Sequence, residues 1–185
     1  DMIAATDFFT VEIWTPRGLI THYVLFVIHH ATRAVHIAGV TANPNSEFMA
    51  RVALNLTDYL DGFLRDKQYL ILDNDSLFTD QFERIIEDSG VKLIHTAIHA
   101  PNLNSVAERF VLTVRTECLD RLIIFGCGHL QRCLDEFTKH YLVERPHQGL
   151  DNELITPKPI DARTTGEVVA HERLGGLLRS YQREA

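Results

Sequence analysis

The sequence predicts an α/β fold: a mixed five-stranded sheet, three antiparallel strands then two parallel ones, flanked by helices and followed by a C-terminal arm. Three observations carry this. Residues 4–40 hold three strand-like runs whose turns are too short for a crossover, so they form an antiparallel meander. Residues 69–94 read as strand, helix, strand, a unit that pairs its strands in parallel. Helical periodicity dominates the sequence on either side of that unit.

Ala4–Trp14 is the first strand, with Phe9, Val11 and Ile13 on the same side as Asp7 by period two. Thr15-Pro16-Arg17-Gly18 is a turn. Leu19–Ile28 is apolar with few breaks, as in a central strand buried on both faces. His29–Arg33 turns again into a third strand, Ala34–Val40. The loop Thr41–Ser46 ends in cap residues, and Phe48, Val52, Leu56, Tyr59 and Phe63 then repeat at helical spacing to about residue 64. Tyr69–Leu72 is a short strand that stops on Asp73-Asn74-Asp75. Asp80 with Glu83 marks a capped helix start, Gly90 its end, and Val91–Ile94 the fifth strand. After the loop His95–Leu103 comes the longest predicted helix, Asn104–Leu122, with Ala107, Val111, Val114, Cys118 and Leu122 as its buried stripe. Gly126 and Gly128 break the pattern, and Leu130, Leu134, Phe137 and Tyr141 carry another helix to about Val143. Beyond Pro157 and Pro159 the chain reads as an arm with a short amphipathic piece around Leu174, Leu177 and Leu178. The division is thus a core over residues 1–150 and an extension over 151–185.

At 185 residues the chain fits one domain, or one domain plus an arm, and 45% hydrophobic with 23% charged residues is ordinary for a packed core. No apolar run is long enough to span a membrane, and no secretory signal is visible. Cys118, Cys127 and Cys133 make no C-x-x-C pair, which reads as a reducing cytoplasm. A net charge of −7 works against phosphate binding, so any contact with DNA must be local, through a few basic side chains and metal ions. A G-x-S-x-G elbow and a P-loop are both missing.

The chemistry concentrates in three acids. Asp7 interrupts an aromatic, β-branched strand, where an acid is unfavourable and needs a reason. Asp73 ends a buried strand, although Asp-Asn-Asp is also ordinary Asx-turn chemistry. Glu108 lies early on a helix, where a solvated acid is also favoured. Hard divalent ions prefer carboxylate oxygen, and two such ions can drive phosphoryl chemistry when rigid elements hold the acids. If the first and fourth strands are neighbours, Asp7 and Asp73 can share a metal, with Glu108 leaning over a second.

Thr6-Asp7-Phe8, Asp73-Asn74-Asp75-Ser76-Leu77-Phe78-Thr79 and Asn104-Ser105-Val106-Ala107-Glu108-Arg109-Phe110 resemble the three acidic motifs of the integrase catalytic core, and more closely the DDE transposases of bacterial insertion sequences. The step from Asp73 to Glu108 is 35 positions (108 − 73), close to that family's spacing. Arg115-Thr116-Glu117-Cys118-Leu119, Arg145-Pro146-His147-Gln148-Gly149-Leu150 and Glu172-Arg173-Leu174-Gly175-Gly176-Leu177-Leu178 resemble its downstream segments. The resemblance implies a ribonuclease H-like fold and two magnesium or manganese ions on Asp7, Asp73 and Glu108. It also implies DNA cleavage and strand transfer without a covalent enzyme–DNA intermediate. Paired DNA ends imply a homodimer or higher oligomer, located with the bacterial nucleoid.

Two departures stand out. Asp75 replaces the glycine of many relatives and is an alternative ligand, while Phe78 sets a register that favours Asp73. No DNA-binding module precedes the core, which reads as a truncated fragment or a core alone. Arg115, seven positions after Glu108 and on the same helix face, is expected to touch a DNA phosphate or to pair with a neighbouring acid. Arg109, Asn102 and Asn104 are further DNA-contact candidates, with helix capping as the other role of the asparagines. His95 and His99 make a poor zinc pair, since Pro101 and the loop composition spoil a helical i, i+4 arrangement and no cysteine joins them. His29 and His30 belong to a strand end, His147 ties the last helix to the core, and Cys118 is a core residue.

Overall fold

A computed structural model describes residues 2–96, 104–156 and 166–184. It opens with β1 (Ile3–Thr15), β2 (Gly18–His29) and β3 (Val35–Thr41). There follow α1 (Ser46–Leu56), β4 (Tyr69–Leu72), α2 (Asp80–Asp88), β5 (Lys92–His95), α3 (Ser105–Glu117) and α4 (Gly126–Val143). A hairpin of β6 (Glu167–Arg173) and β7 (Leu178–Glu184) completes the described chain.

Strands β1 to β5 form one sheet in the order β3-β2-β1-β4-β5, antiparallel between β1, β2 and β3 and parallel between β1, β4 and β5. The mixed sheet read from the turns is therefore present. Side chains alternate across it. Ala5, Phe9, Val11 and Ile13 of β1, Val24, Phe26 and Ile28 of β2, and Ile71 of β4 enter one core with α3 and α4. Ala4, Leu25, Val27, Leu70 and Leu72 enter a second core with α1 and α2. The sheet is a middle layer with helices on both faces, and its central strand β1 has neighbours on either side.

Four predicted elements differ in extent or kind. Helix α1 ends at Leu56 rather than near residue 64. Thr57 caps it by donating to the Ala53 carbonyl, and Asp58 accepts from the Leu60 and Asp61 amides, so side chains capture the backbone locally. Gly62 lies so close to Asp58 that a Cβ would sit 2.5 Å from its backbone, a turn only glycine can make. Helix α2 is capped by Thr79, whose hydroxyl accepts from the Phe82 amide at 3.2 Å, while Asp80 and Glu83 occupy the first turn.

The predicted Asn104–Leu122 helix stops at Glu117, where Cys118 leaves helical geometry, and a short 3₁₀ turn follows over Leu119–Arg121. Helix α4, with 18 residues, is the longer of the two. Finally, the segment expected as a loose arm folds as the β6–β7 hairpin, whose Leu178 is buried in the α3/α4 core. Its strands mix charged and small apolar residues, so neither face carries the strong alternation that marks a strand in sequence. Arg173 locks the hairpin to α4 by pairing with Glu144 at 2.7 Å and Glu136 at 2.7 Å. Among the described residues no helix is long and apolar enough to cross a membrane.

Candidate active site

Asp7 sits midway along β1, on the face covered by α3, with Ala5 and Phe9 on the same side. Its Oδ1 accepts from the Phe8 amide at 2.7 Å and its Oδ2 from Asn104 Nδ2 at 3.2 Å. Burial pushes its pKa up to about 6; those two hydrogen bonds pull it down, while the charges of Asp73 and Glu108 push it up. Two acids remote in sequence thus act on Asp7.

The sheet explains half of this. In the parallel pairing of β1 with β4, Ala5 lies beside Ile71. Two residues further along each chain, that register brings Asp7 level with Asp73, just past the end of β4. Asp73 has the parity of Ile71 and so the α3 side of the sheet. Its Oδ1 accepts from the Asp75 amide at 3.0 Å, an Asx turn that also fixes its carboxylate. The turn reading of Asp73 is therefore met, and the turn holds the residue level with Asp7. Asp75 is exposed and its Oδ1 accepts from the Leu77 amide at 2.9 Å, inside its own turn. Asn74 ties the loop to β5 by donating to the Thr96 carbonyl at 3.1 Å.

Helix α3 supplies the rest. Asn104 holds its cap position, yet its side chain makes no capping bond. It turns instead to Asp7, and its Oδ1 is buried without a hydrogen-bond partner among the described residues. Capping, the alternative role of this residue, is not what its side chain does. Glu108 and Arg109 are exposed one turn later. Arg115 Nη2 donates to the Thr10 carbonyl at 2.8 Å, and its guanidinium lies 5.9 Å from the centre of the Phe9 ring. Its observed partner is the β1 backbone rather than a neighbouring acid. With Asn104 on Asp7 and Arg115 on Thr10, α3 is pinned to β1 on both sides of Glu108. Arg115 also borders a cavity of about 290 Å³ with Thr10, Glu12, Leu119, Asp120 and Ile124. Asn102 and His99 lie outside the described residues.

Among the described residues no group of three His, Cys, Asp or Glu side chains is assembled closely enough to hold a metal ion. The donor chemistry still suits a hard divalent cation. The donors are carboxylate oxygens, the charges of Asp73 and Glu108 raise the cost of ionising Asp7, and the buried Asn104 amide oxygen has no partner among the described residues. Repelling carboxylates close around an ion only when its charge compensates theirs.

The remaining candidates are structural. His147 Nε2 donates to the Tyr141 carbonyl at 2.8 Å and its ring packs edge-on against Tyr141, tying the segment after α4 to the core. Cys118 is buried, which pushes its thiol pKa up to about 12. His29 closes the end of β2 through Thr32. His95 faces Glu83 at 3.8 Å. Arg145 pairs with Glu117 through two bonds at 2.9 and 2.6 Å, a clamp between α3 and the end of α4 that sequence spacing does not reveal.

Residues 89–157 match the family model described as integrase core domain, a span that contains Glu108 but neither Asp7 nor Asp73. Among solved structures, the chain is similar to the HTLV-2 integrase catalytic core domain in complex with magnesium. For the trimeric form the TM-score is 0.59 at 11% identity, over 83% of this chain and 92% of that one. For the dimeric form it is 0.55 at 12% identity, over 76% and 85%. The chain is also similar to the simian T-cell lymphotropic virus intasome in complex with PP2A regulatory subunit B56 gamma, with a TM-score of 0.55 at 14% identity, over 97% of this chain and 66% of that one. No curated protein matches. The fold is that of an integrase catalytic core, ribonuclease H-like. The resemblance to the integrase-like superfamily first read in the acidic motifs is thus met by the family model and by the fold.

Proposed function

We propose that this chain is the catalytic core of a DNA-recombining enzyme, a DDE-type polynucleotidyl transferase of the kind found in bacterial insertion sequences. It would cut DNA strands and join the freed ends to target DNA. The observation that carries the reading is the electrostatic pressure of Asp73 and Glu108 on the buried Asp7 of an integrase-like sheet. Asp7, Asp73 and Glu108 are the residues that would hold two magnesium or manganese ions. Ions held there would compensate phosphate charge and activate the attacking water or 3′ hydroxyl.

The chain's own part is positional. β1 and the turn after β4 carry Asp7 and Asp73 at level positions of the sheet, and α3 carries Glu108. Arg109, exposed beside Glu108, is assigned to a DNA phosphate, as is Asn102. Arg115 has a weaker claim, because it is already bonded to Thr10. Residues 1–150 are assigned to the core and 151–185 to an extension. The working form is assigned as a homodimer or higher oligomer, acting where the bacterial chromosome lies.

Nicking of supercoiled plasmid with manganese, followed by strand transfer, tests this. Asp73→Asn and Glu108→Gln are each expected to cost more than the ~10–100-fold typical of residues that only support a metal ligand. Unchanged nicking in either variant would sink the reading. The net charge of −7 and the open arrangement of the acids favour one alternative, a non-catalytic docking or oligomerisation module with the same fold. Folded protein that shows no manganese binding by calorimetry would support that alternative. A ribonuclease H-like nuclease would instead prefer RNA–DNA hybrids.

A further inference from the structure

We propose that Asn104 is a positioning residue of the acidic site: its amide nitrogen fixes the Asp7 carboxylate, and its amide oxygen accepts a hydrogen from water bound to the cation that Asp7 holds. This rests on the function proposed above.

Asn104 is only 7% exposed, yet its side chain spends nothing on the helix it introduces. Nδ2 points at Asp7 Oδ2, 3.2 Å away. An ionised carboxylate can only accept, so the nitrogen must be the atom facing it and the oxygen must face elsewhere. That oxygen is buried and unpartnered among the described residues. Buried carbonyl oxygens nearly always find a donor, and here no described residue provides one. Because the two heteroatoms belong to one rigid planar amide, the orphan oxygen is held next to the Asp7 carboxylate. The occupant chemistry that answers both atoms is a hydrated divalent cation. The carboxylate takes the ion, and the orphan oxygen takes a hydrogen from its polarised water. Thr138 and Ser180 also carry unpartnered hydroxyls, but neither is bonded to the acids.

Manganese calorimetry on the whole chain, without DNA, is the test. Asn104→Ala and Asn104→Leu, the second similar in size but lacking both polar atoms, are each expected to weaken manganese binding about 10–100-fold. The manganese concentration needed for half-maximal nicking should rise with it. Asn45→Ala is the control, since it removes the α1 cap far from the acids and should lower stability without changing manganese affinity. Unchanged manganese affinity in either folded Asn104 variant overturns the proposal, as does an effect seen only when DNA is present. If the parent itself binds no manganese, the proposed function falls and this inference falls with it; a parent that binds while the variants bind equally well removes the inference alone.

Discussion

A carboxylate buried in a central strand is a burden on the fold, and Asp7 makes that burden measurable. Its folded pKa of about 6 stands above its ordinary value of 3.8, first because of burial and then because of Asp73 and Glu108. A raised pKa means that the folded state holds the proton more tightly. Its stability contribution is complete below about pH 4 and is lost as pH rises through 6. At pH 8 the loss is about 3 kcal/mol. Asp7→Asn should therefore melt roughly 6–12 °C higher than the parent at pH 8 in a chelating buffer. The two should melt together near pH 4, and the variant should not nick DNA. Thermal melts followed by circular dichroism at both pH values would check this; equal melting temperatures at pH 8 would contradict it. This residue was legible in the sequence because an acid among Phe8, Phe9 and Val11 has no structural reason to be there. The partnership of Asn104 was not, because its acceptor lies 97 positions away and local spacing offers capping as the simpler role.

At the scale of elements, burial decided what could be read. Strands β1, β2 and β4 announced themselves because the sheet is covered on both faces, leaving apolar runs that no helix period explains. The end of α1 did not, since Tyr59 and Phe63 continue the helical spacing although Tyr59 is 86% exposed. The hairpin was hidden because much of its attachment is ionic, alongside the single buried Leu178. Arg173, through its hydrogen bonds, holds the Glu144 carboxyl down at about 2, against an ordinary 4.5, and His140 adds a further bond at 3.1 Å. A depressed carboxyl pKa gives stability that is present above pH 4.5 and disappears as pH falls toward 2. Charge-assisted bonds of this kind contribute roughly 1.5–3 kcal/mol. Arg173→Ala should therefore accelerate amide exchange in β6 and β7 about tenfold or more while sparing β1. Its hairpin should also lose the acid-sensitive step between pH 4.5 and 2. Hydrogen exchange read by mass spectrometry distinguishes this from a hairpin held by Leu178 alone.

Across the whole molecule, two cores press on one sheet, and Phe110 is where the α3/α4 side is knit together. Its ring meets Phe26 at 4.7 Å, Tyr141 at 5.3 Å and Phe137 at 6.2 Å between centres. It thus joins β2, α3 and α4 two residues past Glu108. Phe110→Ala should cost about 3–5 kcal/mol in denaturant unfolding. Tyr59→Ala, at an exposed turn, should stay within about 0.5 kcal/mol. Comparable losses from the two would mean that the packing described for α3 is wrong.

Strand β1 is flanked on both sides and sandwiched between both cores, and it is the strand that bears Asp7. Warming can loosen the periphery without disturbing the carboxylate at the centre. Such a fold keeps the surroundings of Asp7 intact until the middle of the sheet parts, and then loses them in one step.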